Sequence, residues 1–142
     1  LLAQVEAYLP AVESLVERRS TPHLIHADLT RDHLLGRLEG GRWTTLGLID
    51  YGDAMIGGLP YELVALHLDL FGGDKRLLRA YLDVYGLETA ARQELAFNAM
   101  CATLLHRFNV DCVRGMLAAC PLARQAATLE QVTRLVWDVD VS

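Results

Sequence analysis

Positive charge is scarce in this chain: 13 Lys and Arg stand against 18 Asp and Glu, for a net charge of −5. With a pI near 5.4 and basic residues scattered as Arg18-Arg19, Lys75-Arg76, Arg79 and Arg92, no basic field exists to hold nucleic acid. Cysteine is rarer still. Cys101, Cys112 and Cys120 form no C-x-x-C pair and leave one thiol over, which excludes a disulfide frame or a zinc site and suits reduced core thiols, so a cytoplasmic location is expected. No apolar run approaches the roughly 18 residues of a membrane span, and no secretory-signal pattern is read. The chain opens on Leu1-Leu2-Ala3-Gln4 without a methionine, already inside a helical pattern, so we expect sequence to precede residue 1. What is abundant is hydrophobic side chain, 52% of 142 residues, enough for one domain or one large lobe to bury a core without staples.

The pattern of that apolar content predicts an α+β, mainly α architecture. Leu2, Val5, Leu9, Val12, Leu15 and Val16 recur at helical spacing over 2–19, interrupted at Pro10 by a kink or a break. "STP" at 20–22 stops the helix. His23–Ala27 reads as a short strand. Residues 33–38 and 42–50 read as a hairpin around Gly40-Gly41. "YGDAMIGGLP" reads as a Gly-rich loop. Helices are then predicted over 61–71, 74–85, 88–108 and 121–137, with a less regular one at 109–120 and stops at Gly72-Gly73 and Gly86. The aromatics of this half fall at helical core positions. His23, His67 and His106 read as surface or hydrogen-bonded helix residues.

Chemistry concentrates in "HLIHADLTRDHLL", residues 23–35. His26, Asp28, Asp32 and His33 follow an apolar strand directly, and unpaired buried charge is costly. A second acid, Asp50, ends the apolar run "LGLID". A hairpin lies between the two, so Asp28 and Asp50 are expected at one end of a small sheet. Gly52 is expected to supply a sharp turn just after Asp50.

"HADLTRDH", a hairpin, then "IDYGDAMIGGLPYEL" resembles the catalytic segment of the aminoglycoside phosphotransferase (choline-kinase-like) family. That family has the protein-kinase-like fold and the signature H-G-D-x-x-x-x-N, hairpin, I-D-F/W-x-x-A, G-D-P-x-x-D-L. The resemblance covers residues 23 to 66, and the flanking helices fit that fold's helical C-terminal lobe. It implies an ATP- or other NTP-dependent phosphotransferase acting on a small-molecule hydroxyl. Asp28 would be the catalytic-loop carboxylate, accepting the proton of the substrate hydroxyl or orienting that hydroxyl, and Asp50 the ligand of Mg²⁺. His26 would brace the loop through backbone or the Asp50 turn. Ala27, at the position where many protein kinases carry arginine, leaves nothing for an activation-loop phosphate to pair with.

Two positions depart from the signature. His33 replaces the asparagine, and imidazole is a softer donor than Mg²⁺ prefers; the metal is then Mn²⁺, or Asp32 takes the ligand role, or binding is weaker. "GDP" becomes Gly58-Leu59-Pro60, and Glu62 matches the later acid, where it would tie the loop to the following helix. Asp53 is either a solvated loop residue or a support for Asp50. Asp69, Asp74 and Asp83 are candidates to line a groove for a cationic acceptor, against the plainer reading as solvated helix faces.

No lysine-bearing strand or phosphate-binding glycine loop precedes Asp28. Residues 1–142 therefore read as one C-terminal catalytic lobe without its N-terminal nucleotide lobe, inactive in isolation. The alternative function is a catalytically weak kinase-like lobe serving as a binding or scaffolding module, which His33 favours. A metallohydrolase built on His26, Asp28 and His33 has no zinc spacing to support it.

Overall fold

The computed structural model describes residues 1–17 and 22–140, with the side chains at positions 16, 17, 90 and 93 outside the description. The last residues of the expected first helix, 18 and 19, and most of its stop at 20–22 lie outside the described residues.

Pro10 divides the first helix. A 3-10 turn Leu2–Gln4 leads into α1 (Val5–Tyr8), Leu9 is extended (φ −75°, ψ 126°), and α2 (Val12–Glu17) follows. The residue before a proline is pushed out of helical angles, and Pro10 has no N–H to continue the ladder. Two antiparallel ribbons come next. β1 (His23–Ile25) pairs with β4 (Met55–Gly57), and β2 (Leu34–Glu39) pairs with β3 (Arg42–Leu48). Gly40 and Gly41 both have positive φ, 58° and 80°, as a two-residue hairpin turn requires. β4 corrects the reading of "YGDAMIGGLP" as a loop: Met55-Ile56-Gly57 pairs with Ile25-Leu24-His23. Three residues carry too little periodicity to announce a strand.

The rest of the described chain is helical apart from its connections. α3 (Leu59–Ala65) runs into a wider π turn, Leu66–Leu70, then α4 (Lys75–Tyr85), α5 (Thr89–Leu105), α6 (Asn109–Ala119) and α7 (Leu129–Val136). α4 has well-formed ends. The Asp74 side chain accepts from the Arg76 N–H at its start, and Gly86 closes it at φ 80°, with the Leu87 N–H donating back to the Leu82 carbonyl. The helix expected over 121–137 is split. Pro121–Gln125 is a 3-10 turn, and α7 begins only after Thr128, whose hydroxyl accepts from the Gln131 N–H.

The core lies between α3, the π turn, α4, α5 and α7: Leu63, Leu66, Leu78, Leu82, Met100, Val132 and Val136 are almost wholly buried. Each such side chain contributes roughly 1.5–3 kcal/mol by leaving water. His67 is fully buried among them, donating from Nε2 to the Val136 carbonyl at 3.0 Å and packing on Trp137. Tyr85 and Phe108, read from spacing as core, are about half exposed. The Tyr8 hydroxyl meets that of Thr133 at 2.7 Å, joining α1 to α7, and burial pushes the phenol up to about 12. No helix among the described residues is long and apolar enough to cross a membrane.

Candidate active site

Asp28 follows β1, and Asp50 follows β3. The single small sheet expected from sequence is instead two separate ribbons, and the two acids stand at the ends of different ones. The hairpin register brings them together. Leu34 pairs with Leu48, and the Ile49 N–H donates to the His33 carbonyl at 3.0 Å, so His33 lies at the hairpin mouth beside Asp50.

The His33 ring stands between the two acids. Its Nδ1 lies 2.6 Å from the backbone carbonyl of Asp28 and 3.8 Å from that residue's Oδ2, while Nε2 lies 3.6 Å from Asp50 Oδ2. A carbonyl can only accept, so Nδ1 carries a proton and donates. That hydrogen bond, together with the charges of Asp28, Asp50 and Asp32, raises the His33 pKa above the ordinary imidazole value against a smaller opposing effect of burial. Asp28 and Asp50 thus face one imidazole, and both side chains remain substantially open to solvent.

Backbone geometry sets the two acids. Ala27 and Asp50 are the only non-glycine residues with positive φ among those described, 66° and 62°. Left-handed backbone costs an L-residue roughly 1–2 kcal/mol, and such strain clusters at functional sites. The sharp turn expected at Gly52 is therefore made by Asp50 itself. Gly52 has another use: a Cβ there would stand 3.3 Å from Asp50 Oδ1 and crowd the carboxylate. Replacing Ala27 by valine, whose branched Cβ tolerates positive φ poorly, is expected to cost about 2 kcal/mol in urea unfolding.

Three side chains brace this geometry. Glu62, in the first turns of α3 and only 8% exposed, accepts from the Ala27 N–H at 2.7 Å and the His26 N–H at 3.4 Å. It ties the loop of Asp28 to α3 rather than the loop directly before that helix, as read from sequence. His26 is buried and donates from Nε2 to the Ile49 carbonyl at 2.9 Å, with its ring against Tyr51; it joins the Asp28 loop to the Asp50 turn. Asp69 accepts from the backbone N–H of Arg31 at 2.8 Å and from its guanidinium at 3.2 Å.

Asp32 is exposed on the 3-10 turn Arg31–His33 and acts on His33 through its charge. Asp53 points to Arg107, beyond the end of α5, as an ion pair. Sequence reading missed Arg107, which is 54 residues away and without local signal. It also missed the stacking of His106 on Tyr61, with ring centroids 4.9 Å apart. Asp69, Asp74 and Asp83, the candidates to line a groove for a cationic acceptor, each pair with an arginine: Arg31, Arg76 and Arg92. Arg76 holds the Asp74 carboxyl down to about 2.

Among the described residues no three His, Cys, Asp or Glu side chains are gathered as a ready metal cage. The donors available beside one another are the Asp50 carboxylate and His33 Nε2. The Asp50 carboxylate suits a cation of the Mg²⁺ type, which takes one or two carboxylates from protein and completes its shell with water and phosphate oxygens, whereas the His33 imidazole is a donor that suits Mn²⁺ better.

A family model described as "Phosphotransferase enzyme family" matches residues 1–97. The chain is also 27% identical over 115 residues to a protein of Arabidopsis thaliana named Lysine-specific demethylase JMJ21, an alignment covering 68% of this chain and 12% of that protein. The chain therefore spans only a small part of that relative's length. The match over residues 1–97 takes in the Asp28 loop, the hairpin, the Asp50 turn and Glu62: this chain belongs to the phosphotransferase enzyme family.

Proposed function

We propose that the chain is the catalytic lobe, of protein-kinase-like fold, of a phosphotransferase that moves the γ-phosphoryl group of ATP to the hydroxyl of a small molecule. The observation that carries this reading is the His33 ring reaching Asp28 on one side and Asp50 on the other, because the transfer needs a proton acceptor and a cation holder facing one point. The acceptor oxygen bonds to the γ-phosphorus as the bond to the β-phosphate oxygen breaks, and the hydroxyl proton passes to the Asp28 carboxylate. Asp50 would hold the divalent cation, with His33 Nε2 beside it and Asp32 adding charge from the outer side. When bound, such a cation would supply positive charge to the phosphate oxygens. Glu62 and His26 keep the two loops in place, and Asp53 anchors the Asp50 turn to Arg107.

The nucleotide lobe is proposed to come from outside these residues. The hairpin supports this: Leu38, Trp43 and Leu46 are 49–69% exposed, an apolar face suited to cover by another element.

Mn²⁺ with ATP provides a test on the chain itself. Paramagnetic broadening is expected at His33 and Tyr51, with Asp50→Ala weakening Mn²⁺ binding at least about tenfold. In the protein carrying its nucleotide lobe, Asp28→Ala is expected to lower transfer by about 10²–10⁴ while leaving Mn²⁺ binding intact. Broadening that survives Asp50→Ala, or transfer that survives Asp28→Ala, would overturn the assignment. Steady ATP turnover by residues 1–142 alone would refute the missing-lobe reading.

A further inference from the structure

One continuous helical run, residues 59–70, holds the chain on both sides of Asp28. Glu62 takes the backbone N–H groups ahead of it. Asp69 takes one behind it, accepting from the Arg31 N–H at 2.8 Å. Asp69 lies in the π turn Leu66–Leu70, where the Phe71 N–H donates to the Leu66 carbonyl at 2.9 Å. Such widened turns are rare and recur at functional sites. Two further bonds complete the grip: Arg31 Nε donates to Asp69 Oδ1 at 3.2 Å, and a terminal guanidinium nitrogen donates to the Asp69 carbonyl at 3.0 Å.

What Asp69 holds is the start of the 3-10 turn Arg31–His33. The opening N–H groups of a helical turn have no partner within it, and a threonine just before the turn ordinarily caps one with its hydroxyl. Thr30 does not. Its Oγ1 lies instead 3.2 Å from His33 Nδ1, the atom that donates to the Asp28 carbonyl at 2.6 Å. With the local hydroxyl turned to the imidazole, the acceptor for the turn comes from 38 residues away. A carboxylate is a strong acceptor for this purpose. Without it, the turn either goes uncapped or draws the Thr30 hydroxyl off the ring. His33 loses its setting in both cases.

We propose that Asp69 is a positioning residue: by holding the Arg31 backbone N–H it fixes the turn that sets the His33 ring between Asp28 and Asp50. Its bearing on catalysis rests on the phosphotransferase reading, in which that ring stands beside the cation. The grip itself does not.

Long-range ¹H–¹⁵N NMR of residues 1–142, at a pH where the His33 ring is neutral, reads which ring nitrogen carries the proton. The wild type is expected to show Nδ1–H alone. In Asp69→Ala the ring nitrogens are expected to shift toward the Nε2–H form, which free histidine prefers. Asp69→Asn, which keeps an oxygen for the Arg31 N–H, is expected to retain the wild-type pattern. Arg31→Ala removes only the guanidinium and is expected to retain it too. Arg31→Pro removes the N–H itself, and Thr30 already has the extended angles, φ −94° and ψ 171°, that suit a residue before proline. It is expected to match Asp69→Ala. Circular dichroism reports that each variant is folded, and the two Arg31 variants decide the question should Asp69→Ala unfold. The proposal is overturned if a folded Asp69→Ala or Arg31→Pro protein keeps Nδ1–H alone, if Asp69→Asn is as disturbed as Asp69→Ala, or if Arg31→Ala disturbs the ring as much as Arg31→Pro.

Mn²⁺ with ATP tests the link to the cation. Asp69→Ala is expected to weaken Mn²⁺ binding about tenfold, and unchanged affinity would overturn the positioning role. A wild-type protein that binds no Mn²⁺ would sink the cation assignment of the phosphotransferase reading, while the ring nitrogens still decide what Asp69 holds.

Discussion

Truncating Glu62 to alanine is expected to destabilise the protein by about 4 kcal/mol and to abolish the geometry on which Asp28 depends. Two backbone N–H groups, of His26 and Ala27, lose a carboxylate acceptor. Hydrogen bonds to a charged group contribute roughly 1.5–3 kcal/mol each, and an orphaned buried donor carries a further penalty. Ala27 is also the residue held at positive φ, so the acceptor that stabilises this strained backbone is the one removed. For a domain with about 5–15 kcal/mol of total stability, that is a large fraction. Glu62→Gln distinguishes shape from charge. Its amide oxygen can accept from Ala27, but its NH₂ group meets the His26 N–H with no acceptor, so roughly half the loss is expected. Urea unfolding of the three proteins measures the series; a change below about 1 kcal/mol in Glu62→Ala would show that the clamp does not hold the loop.

Acidification should destabilise the protein through His67. Burial, opposed only in part by the hydrogen bond to the Val136 carbonyl, lowers this imidazole from 6.5 to about 4. In the folded state it is neutral; unfolded, it takes up a proton below pH 6.5. Between pH 6.5 and about 4 the unfolded state therefore binds more protons, and stability falls as pH falls. The slope for one site is about 1.4 kcal/mol per pH unit, giving about 3 kcal/mol across the window. Below about pH 4 this contribution is constant. His106, also lowered by burial, adds in the same direction. His33 acts oppositely: its raised pKa contributes stability that is present below pH 6.5 and lost as pH rises through the folded value. His67→Gln, which keeps a donor for Val136, isolates the buried site. The difference between wild type and variant should steepen from pH 6.5 to 4, and parallel pH profiles would refute the assignment.

Much of the fold was legible because it rests on local physics. Pro10 breaks a helix wherever it stands, Gly40-Gly41 favours a hairpin turn by its tolerance of positive φ, and Leu78 with Leu82 buries one face of α4 by spacing alone. β4 was illegible because three residues become a strand only when β1 offers a partner. The late start of α7 and the exposure of Tyr85 and Phe108 depend on what packs nearby, which periodicity does not report.

For the candidate site, the chain order of Asp28, hairpin and Asp50 determined that two acids follow two strands, and the residue types determined which chemistry they suit. Only the tertiary structure decided that they meet at His33, that Glu62 grips the backbone ahead of Asp28, and that Asp69, Asp74 and Asp83 are held by arginines. The physical reason is one of range. Propensity and turn geometry act over a few residues and are written in the local sequence. Carboxylate–imidazole and carboxylate–amide contacts act over a few ångströms between positions that can lie tens of residues apart, so they exist only once the core has folded.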